Sequence, residues 1–330
     1  VSAAFSPEER LLIRGEEVEL EQLSNLRGWY PMLIRQQSLW WRFIGDKRFS
    51  EPFFFDSVRS LRDAKPRCLQ SPFSALDKVA DPLQPTAFIF HVSRCGSTLL
   101  TQLLAIMPEC ISISEPAILD SFLRHYYQEG DDAGAVKRLR GIVAALGQRR
   151  FEEEQQLIIK LDSWHIHSLP LFRRAFPDTP FLFLYRNPVE VMASHRRQRG
   201  RQMVPGMVTD AMPPLDFRQA YPGDLDGYAV QMLGGFFAAA CRYADELTLV
   251  NYSQLPHIVW QELCAFLAIA PAPQQLKMMQ ARAGSHSKSG MAYAGDSEAM
   301  DGPCYATILP YYEQLEALRD KQVLLSAAHG

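Results

Sequence analysis

The sequence predicts an α/β protein: a three-layer arrangement with a mainly parallel sheet flanked by helices, preceded by a helical N-terminal extension. Three observations predict it. Short apolar runs rich in β-branched and aromatic residues recur at Ala87–Val92, Ile111–Pro116, Leu157–Leu161, Pro180–Tyr185 and Thr248–Tyr252, the pattern of strands buried on both faces. Segments with helical spacing separate them, which implies right-handed crossovers and parallel pairing. Polar or charged residues stand at or just past the ends of the runs: the turn after Val92, then Lys160, Arg186 and Tyr252. Ligands of such sheets bind beyond the carboxyl ends of the strands.

Length and composition narrow the class. A chain of 330 residues is long enough for one large α/β domain with insertions, or for two domains. Its 47% hydrophobic and 22% charged content is that of a soluble globular protein. The formal net charge of −3 argues against a general nucleic-acid binder, so any basic site is local. No apolar run reaches the length of a membrane span, and the N-terminal segment lacks the apolar core of a signal peptide. Six scattered cysteines without a CxxC pair read as reduced thiols, and a cytoplasmic location is expected.

Residues 1–85 read as a helical, aromatic-rich extension and 86–330 as the main α/β domain. Ser6-Pro7-Glu8-Glu9 is a helix start, with Ser6 as cap and acids in the first turn. Aromatics crowd Trp29–Phe55; they either bury the extension or form a wall for an apolar acceptor or partner. Residues 66–85 read as irregular with a turn of helix near Ala75–Val79. After the strand Ala87–Val92 comes a tight turn, Ser93–Ser97. The helix Thr98–Met107 follows, with Leu99, Leu100, Leu103, Leu104 and Met107 on its apolar face, and Pro108 stops it. Further helices are expected at Ile118–Gln128, Ala135–Arg150, Ser168–Ala175, from Pro188 to Gly200, at Leu225–Glu246 and at Ile258–Ile269.

A strand, tight turn and helix aim backbone N–H groups and the positive helix end at one point, a ready-made phosphate site. A nucleoside-triphosphatase loop needs G-x-x-x-x-G-K-[ST]. Aligned on Gly96, this chain has His91 at the first glycine, Ser97 at the lysine and Thr98 at the hydroxyl, so the γ-phosphate lysine is missing. Arg94 supplies charge in its place, and a guanidinium suits forked oxygen recognition. Here the chain resembles the sulfotransferase superfamily, whose 5′-phosphosulfate loop reads much like R-[SC]-G-[ST]-T-L-L. The resemblance covers roughly residues 86–300. It implies a P-loop-type fold and the donor 3′-phosphoadenylyl sulfate (PAPS), leaving adenosine 3′,5′-bisphosphate (PAP) as product. No metal is expected, since such a donor has no β/γ-phosphates to hold one.

On this resemblance Ser93, Arg94, Cys95, Gly96, Ser97 and Thr98 would cradle the 5′-phosphosulfate. Arg186 and Ser194, in the R-[ND]-P…S form of the family's 3′-phosphate motif, would hold the other end. Arginine at the positive end of a helix is electrostatically poor unless an anion is present, which favours that role. Lys288, in the Gly/Ser-rich stretch Gly284–Gly302, is the candidate late-loop partner of the 3′-phosphate, with Ser285, Ser287 or Ser289 as lesser donors. Tyr252, in VNYSQL, lines the same site or is a core tyrosine.

Sulfuryl transfer needs an acceptor oxygen in line, a base for its proton and cations where charge develops. Glu115, in SEP at the end of the second strand, resembles the glutamate base of tyrosylprotein and bacterial members. Lys160 interrupts the apolar run LIIKL and matches the family lysine that steadies the leaving phosphate, a task Arg94 would share. Cytosolic members carry a histidine two residues after that lysine; here it is Asp162, and His165, His167 and His195 are the alternative bases. Arg196, Arg197, Arg199 and Arg201 would steer an anion or form a solvated charge run, and 196–224 reads as a lid over the acceptor. The acceptor expected is a small molecule or peptide bearing a hydroxyl, less readily an amine. A P-loop kinase or nucleoside triphosphatase, and a non-catalytic nucleotide-binding protein, are the alternatives.

Overall fold

Ser6 opens the first helix as its sequence predicts. Its hydroxyl accepts from the Glu9 N–H at 3.1 Å, Glu9 Oε2 accepts from the Ser6 N–H at 2.7 Å, and Pro7 takes the first position of α1 (Pro7–Ile13). The computed structural model describes residues 6–130, 134–208, 223–284 and 306–327, with the side chains of 323–327 left aside.

Past α1 the extension is not helical, contrary to expectation. It is a four-stranded sheet of β1 (Glu16–Glu17), β2 (Trp29–Arg35), β3 (Ser38–Phe43) and β4 (Arg67–Ser71), ordered β1-β4-β3-β2, with one short α-helix, α2 (Phe54–Ser60). It also has 3₁₀ turns at Leu20–Gln22 and Phe73–Lys78, the latter overlapping the helical turn expected near Ala75–Val79. The physical reason lies in the aromatic residues themselves, which favour a pleated surface over a helix. β2 and β3 are joined by Gln36 and Gln37, both at positive φ (48° and 65°), the geometry of a two-residue hairpin turn. Neither residue is a usual turn residue, so the hairpin gave no sequence signal. Pro31 is tolerated because β2 is an edge strand whose register shifts there. Arg150, 4% exposed, ties this region down: it pairs with Glu154 at 3.3 Å and lies 4.6 Å over the Phe49 ring.

The second sheet is the expected parallel one. Its strands are β5 (Pro85–His91), β6 (Cys110–Ser114), β7 (Gln156–Lys160), β8 (Phe181–Tyr185) and β9 (Thr248–Asn251), in the order β6-β7-β5-β8-β9. The helices are α3 (Ser97–Leu104), α4 (Ala117–Glu129), α5 (Ala135–Leu146), α6 (Leu169–Ala175), α7 (Pro188–Arg197) and α8 (Leu225–Arg242). A π-helical stretch, Val259–Leu263, runs into the single turn α9 (Cys264–Phe266), where one regular helix was expected. The last two, α10 (Pro273–Ala283) and α11 (Leu309–Ala327), were not anticipated. Strand β4 is likewise new, in a stretch expected to be irregular.

The chain divides into two compact units. One comprises Val1–Thr86, Thr101–Lys160 and Leu171–Pro177; the other Ala87–Leu100, Leu161–Pro170 and Asp178–Gly330. Residues 1–86 therefore share their unit with later segments. Among the described residues no helix is long and apolar enough to cross a membrane, and Cys68, Cys95, Cys110, Cys241 and Cys264 form no disulfide.

Candidate active site

The second unit holds the loop. After β5 the backbone passes through the left-handed region at Ser93 (φ 71°), Arg94 (52°) and Gly96 (81°). Two consecutive non-glycine residues there are strained, and such strain persists only where the surroundings enforce it. His91 is one enforcer. Its Nδ1 accepts from the Ser93 N–H at 2.9 Å, so the proton is assigned to Nε2, which donates to Leu161 O at 2.9 Å. Sequence reasoning missed this role; the signal was a polar residue ending an otherwise apolar strand.

Cys95 is fully buried and its thiol donates to Leu184 O at 3.2 Å, the work of a small filler. Gly96 is required twice over. Beyond its φ, a Cβ there would stand 2.5 Å from Leu255 Cδ1 and 3.0 Å from Tyr252 Cδ2. Ser97, where α3 begins, and Thr98 after it are both buried. Arg94 turns to α7, where its guanidinium donates to the Gln198 carbonyl at the helix C-cap, an end that favours cations.

Arg186 follows β8 directly and is 4% exposed. Its Nε meets Glu190 Oε2 at 3.1 Å, and its guanidinium carbon lies 4.2 Å over the Tyr252 ring. Asn187 caps α7 by accepting from the Val189 N–H at 2.9 Å, with Pro188 in first position. Ser194 lies two turns into that helix and is half-buried. Tyr252 thus touches both the loop glycine and Arg186, bringing together two groups of residues singled out separately. Glu190 was missed, although its spacing of four from Arg186 is that of a helical ion pair.

Other expectations fare differently. Lys288, Ser285, Ser287 and Ser289 lie outside the described residues, as does 209–222 of the expected lid. In the arginine cluster, Arg196 and Arg199 both engage Asp226, whose carboxyl the Arg199 hydrogen bond holds below the usual range despite partial burial, with Arg196 assisting. Arg201 lies 3.7 Å from Asp162 and over the Trp164 ring. His165 and His195 are fully buried, each with Nδ1 accepting a backbone N–H, from Asp162 and Gly200. His167 is pushed down to about 4, by burial and then by Arg242.

The first unit holds the other pair. Ser114 and Lys160 are partners in the β6–β7 ladder, and the Glu115 N–H extends it by donating to Lys160 O at 2.7 Å. Glu115 sits at φ 51° before Pro116, a conformation rare for such a residue. Its carboxylate returns to the same lysine, with Oε1 2.9 Å from Nζ. That partner explains a lysine within an apolar strand. The ammonium is enclosed, at 1% side-chain exposure, whereas Glu115 keeps 25%. The Phe53 ring lies 4.8 Å from Nζ.

These features define a parallel α/β protein with a strained turn between β5 and α3. No protein-family model and no curated protein matches the chain. Among solved structures it is similar to a sulfotransferase domain from the curacin biosynthetic pathway, at 17% identity and TM-score 0.45 over 72% of this chain and 99% of that one. A sulfotransferase from Alicyclobacillus acidocaldarius aligns at 19% identity and TM-score 0.42, over 72% and 96% of the two chains. One from Mycobacterium avium aligns at 12% and 0.46, over 76% and 78%.

Proposed function

We propose that the protein is a sulfotransferase that moves the sulfuryl group of PAPS to a hydroxyl acceptor. The observation that carries this reading is the Tyr252 ring, in contact with Gly96 of the loop and with Arg186 of the R-N-P…S motif. One aromatic side chain couples the two features that resemble the family's 5′- and 3′-phosphate motifs. The loop offers backbone N–H groups and a helix start but has Ser97 where a triphosphate-binding loop needs lysine.

The roles divide by residue. Backbone N–H groups of 94–98 hold the 5′-phosphosulfate, Ser93 adds its hydroxyl because its N–H is held by His91, and Arg94 joins them on leaving the Gln198 carbonyl. Arg186 and Ser194, with Lys288, hold the 3′-phosphate, Arg186 exchanging Glu190 for the ligand. Glu115 takes the acceptor's proton as the acceptor oxygen bonds to sulfur and the bond from sulfur to the 5′-phosphate oxygen breaks. Lys160 holds the carboxylate in place for that role, with Nζ 2.9 Å from Oε1.

Calorimetry with PAP and with ATP–Mg²⁺, followed by transfer from ³⁵S-labelled PAPS to an acceptor panel of phenols, alcohols, sugars and tyrosyl peptides, tests the reading. PAP binding at least tenfold tighter than ATP–Mg²⁺, with labelled product, is expected. The reverse preference would make the protein a kinase or nucleoside triphosphatase; tight PAP binding without transfer would make it a binding protein.

A further inference from the structure

Two neighbours within one unit lie against the buried Lys160 ammonium: Glu115 Oε1 at 2.9 Å and the Phe53 ring at 4.8 Å. Phe53 belongs to the N-terminal segment, the part of the chain that the sulfotransferase resemblance does not cover. It is the extended residue (φ −134°, ψ 151°) just before α2. The chain is anchored on both sides of it. Phe54 is 1% exposed, with its ring 5.4 Å from Phe49 and 6.2 Å from Tyr30. On the N-terminal side Glu51 accepts from the Ser57 hydroxyl and from Lys47, each at 2.6 Å. The N-terminal segment therefore presents one aromatic ring to one buried ammonium.

We propose that Phe53 is a positioning residue for the transfer reaction, a role that rests on the reading of Glu115 given above. The face of its ring attracts the ammonium and shields it from water, which fixes Lys160 against Glu115 and thereby orients the carboxylate toward the acceptor. A cation over a ring face gains most when desolvated, as here. A leucine fills similar volume without the ring's quadrupole, whereas tryptophan supplies the strongest face.

Phe53→Leu and Phe53→Trp test this on the full chain. With isotopically labelled lysine, NMR of the wild type shows the Lys160 Cε protons displaced upfield by the ring, assigned through Lys160→Arg; Phe53→Leu abolishes the displacement and Phe53→Trp keeps it. With PAPS and 4-nitrophenol, Phe53→Leu lowers kcat about tenfold, the worth of a desolvated cation–π contact. KM for 4-nitrophenol and the Kd of PAP stay unchanged, and Phe53→Trp restores the rate. A wild-type kcat in Phe53→Leu overturns the proposal, and so does a change confined to KM, which would make the ring an acceptor contact. Failure of Phe53→Trp to recover does the same. A wild type that transfers to no acceptor of the panel defeats the sulfotransferase reading itself, and the positioning role with it.

Discussion

The Arg186 guanidinium lies 4.2 Å above the Tyr252 ring, and that ring packs against Gly96 of the β5–α3 turn. An arginine that closes one strand and a glycine beyond the end of another are thereby linked through one aromatic side chain. In this arrangement Glu190 provides an anion for Arg186.

Arg186→Ala is expected to weaken PAP binding by about 2–5 kcal/mol, the range for truncating one partner of a buried charge contact. Glu190→Gln should act in the opposite sense, because the carboxylate must leave before a phosphate arrives. Glu190 is 43% exposed, so the gain is at most about 1 kcal/mol. Calorimetric titration with PAP measures both, and weaker binding by Glu190→Gln would count against competition at Arg186.

Gly96→Ala should distort the loop. The new Cβ meets Leu255 at 2.5 Å on a backbone at φ 81°, which costs about 1–3 kcal/mol of strain. Loss of PAP affinity together with a lowered Tm is the expected result. Near-wild-type binding would show that the turn does not need its left-handed glycine.

Glu115→Gln should leave the Kd of PAP intact and reduce turnover by roughly 10²–10⁴, the usual worth of a general base. Rate assays with labelled PAPS check it. A rate unchanged from the wild type would transfer the role to a histidine.

His167 makes stability pH-dependent. Its pKa is about 4 in the folded chain against about 6.5 when unfolded, so between those values the unfolded state binds the extra proton. Stability therefore falls as pH drops from about 6.5 to about 4, by up to about 3 kcal/mol, and no contribution arises above that window. Denaturant titrations at pH 7 and 4.5 on the wild type and His167→Leu should show a smaller acid loss in the variant.

The parallel sheet was legible because its strands are continuous apolar runs, and the start of α7 because Asn187-Pro188 carries its own cap. The N-terminal sheet was not legible. Aromatic residues from Trp29 to Phe55 suit several burial modes, and the Gln36-Gln37 hairpin lacks the glycine or asparagine that usually marks one. His91 and Glu190 were overlooked for a related reason: a histidine ending a strand and a glutamate in a helix acquire meaning only from their partners.

By itself the sequence determined the five strands of the main sheet in their succession along the chain, the tight turn at Ser93–Ser97 and the absence of a triphosphate lysine. These are properties of local spacing and side-chain type, carried by neighbours in the chain. Only the tertiary structure decided that Glu115 and Phe53 lie against the Lys160 ammonium, that Tyr252 joins Gly96 to Arg186, and that Arg94 reaches the end of α7. Each is a contact between residues distant in the chain, set by packing and charge pairing that no local pattern records.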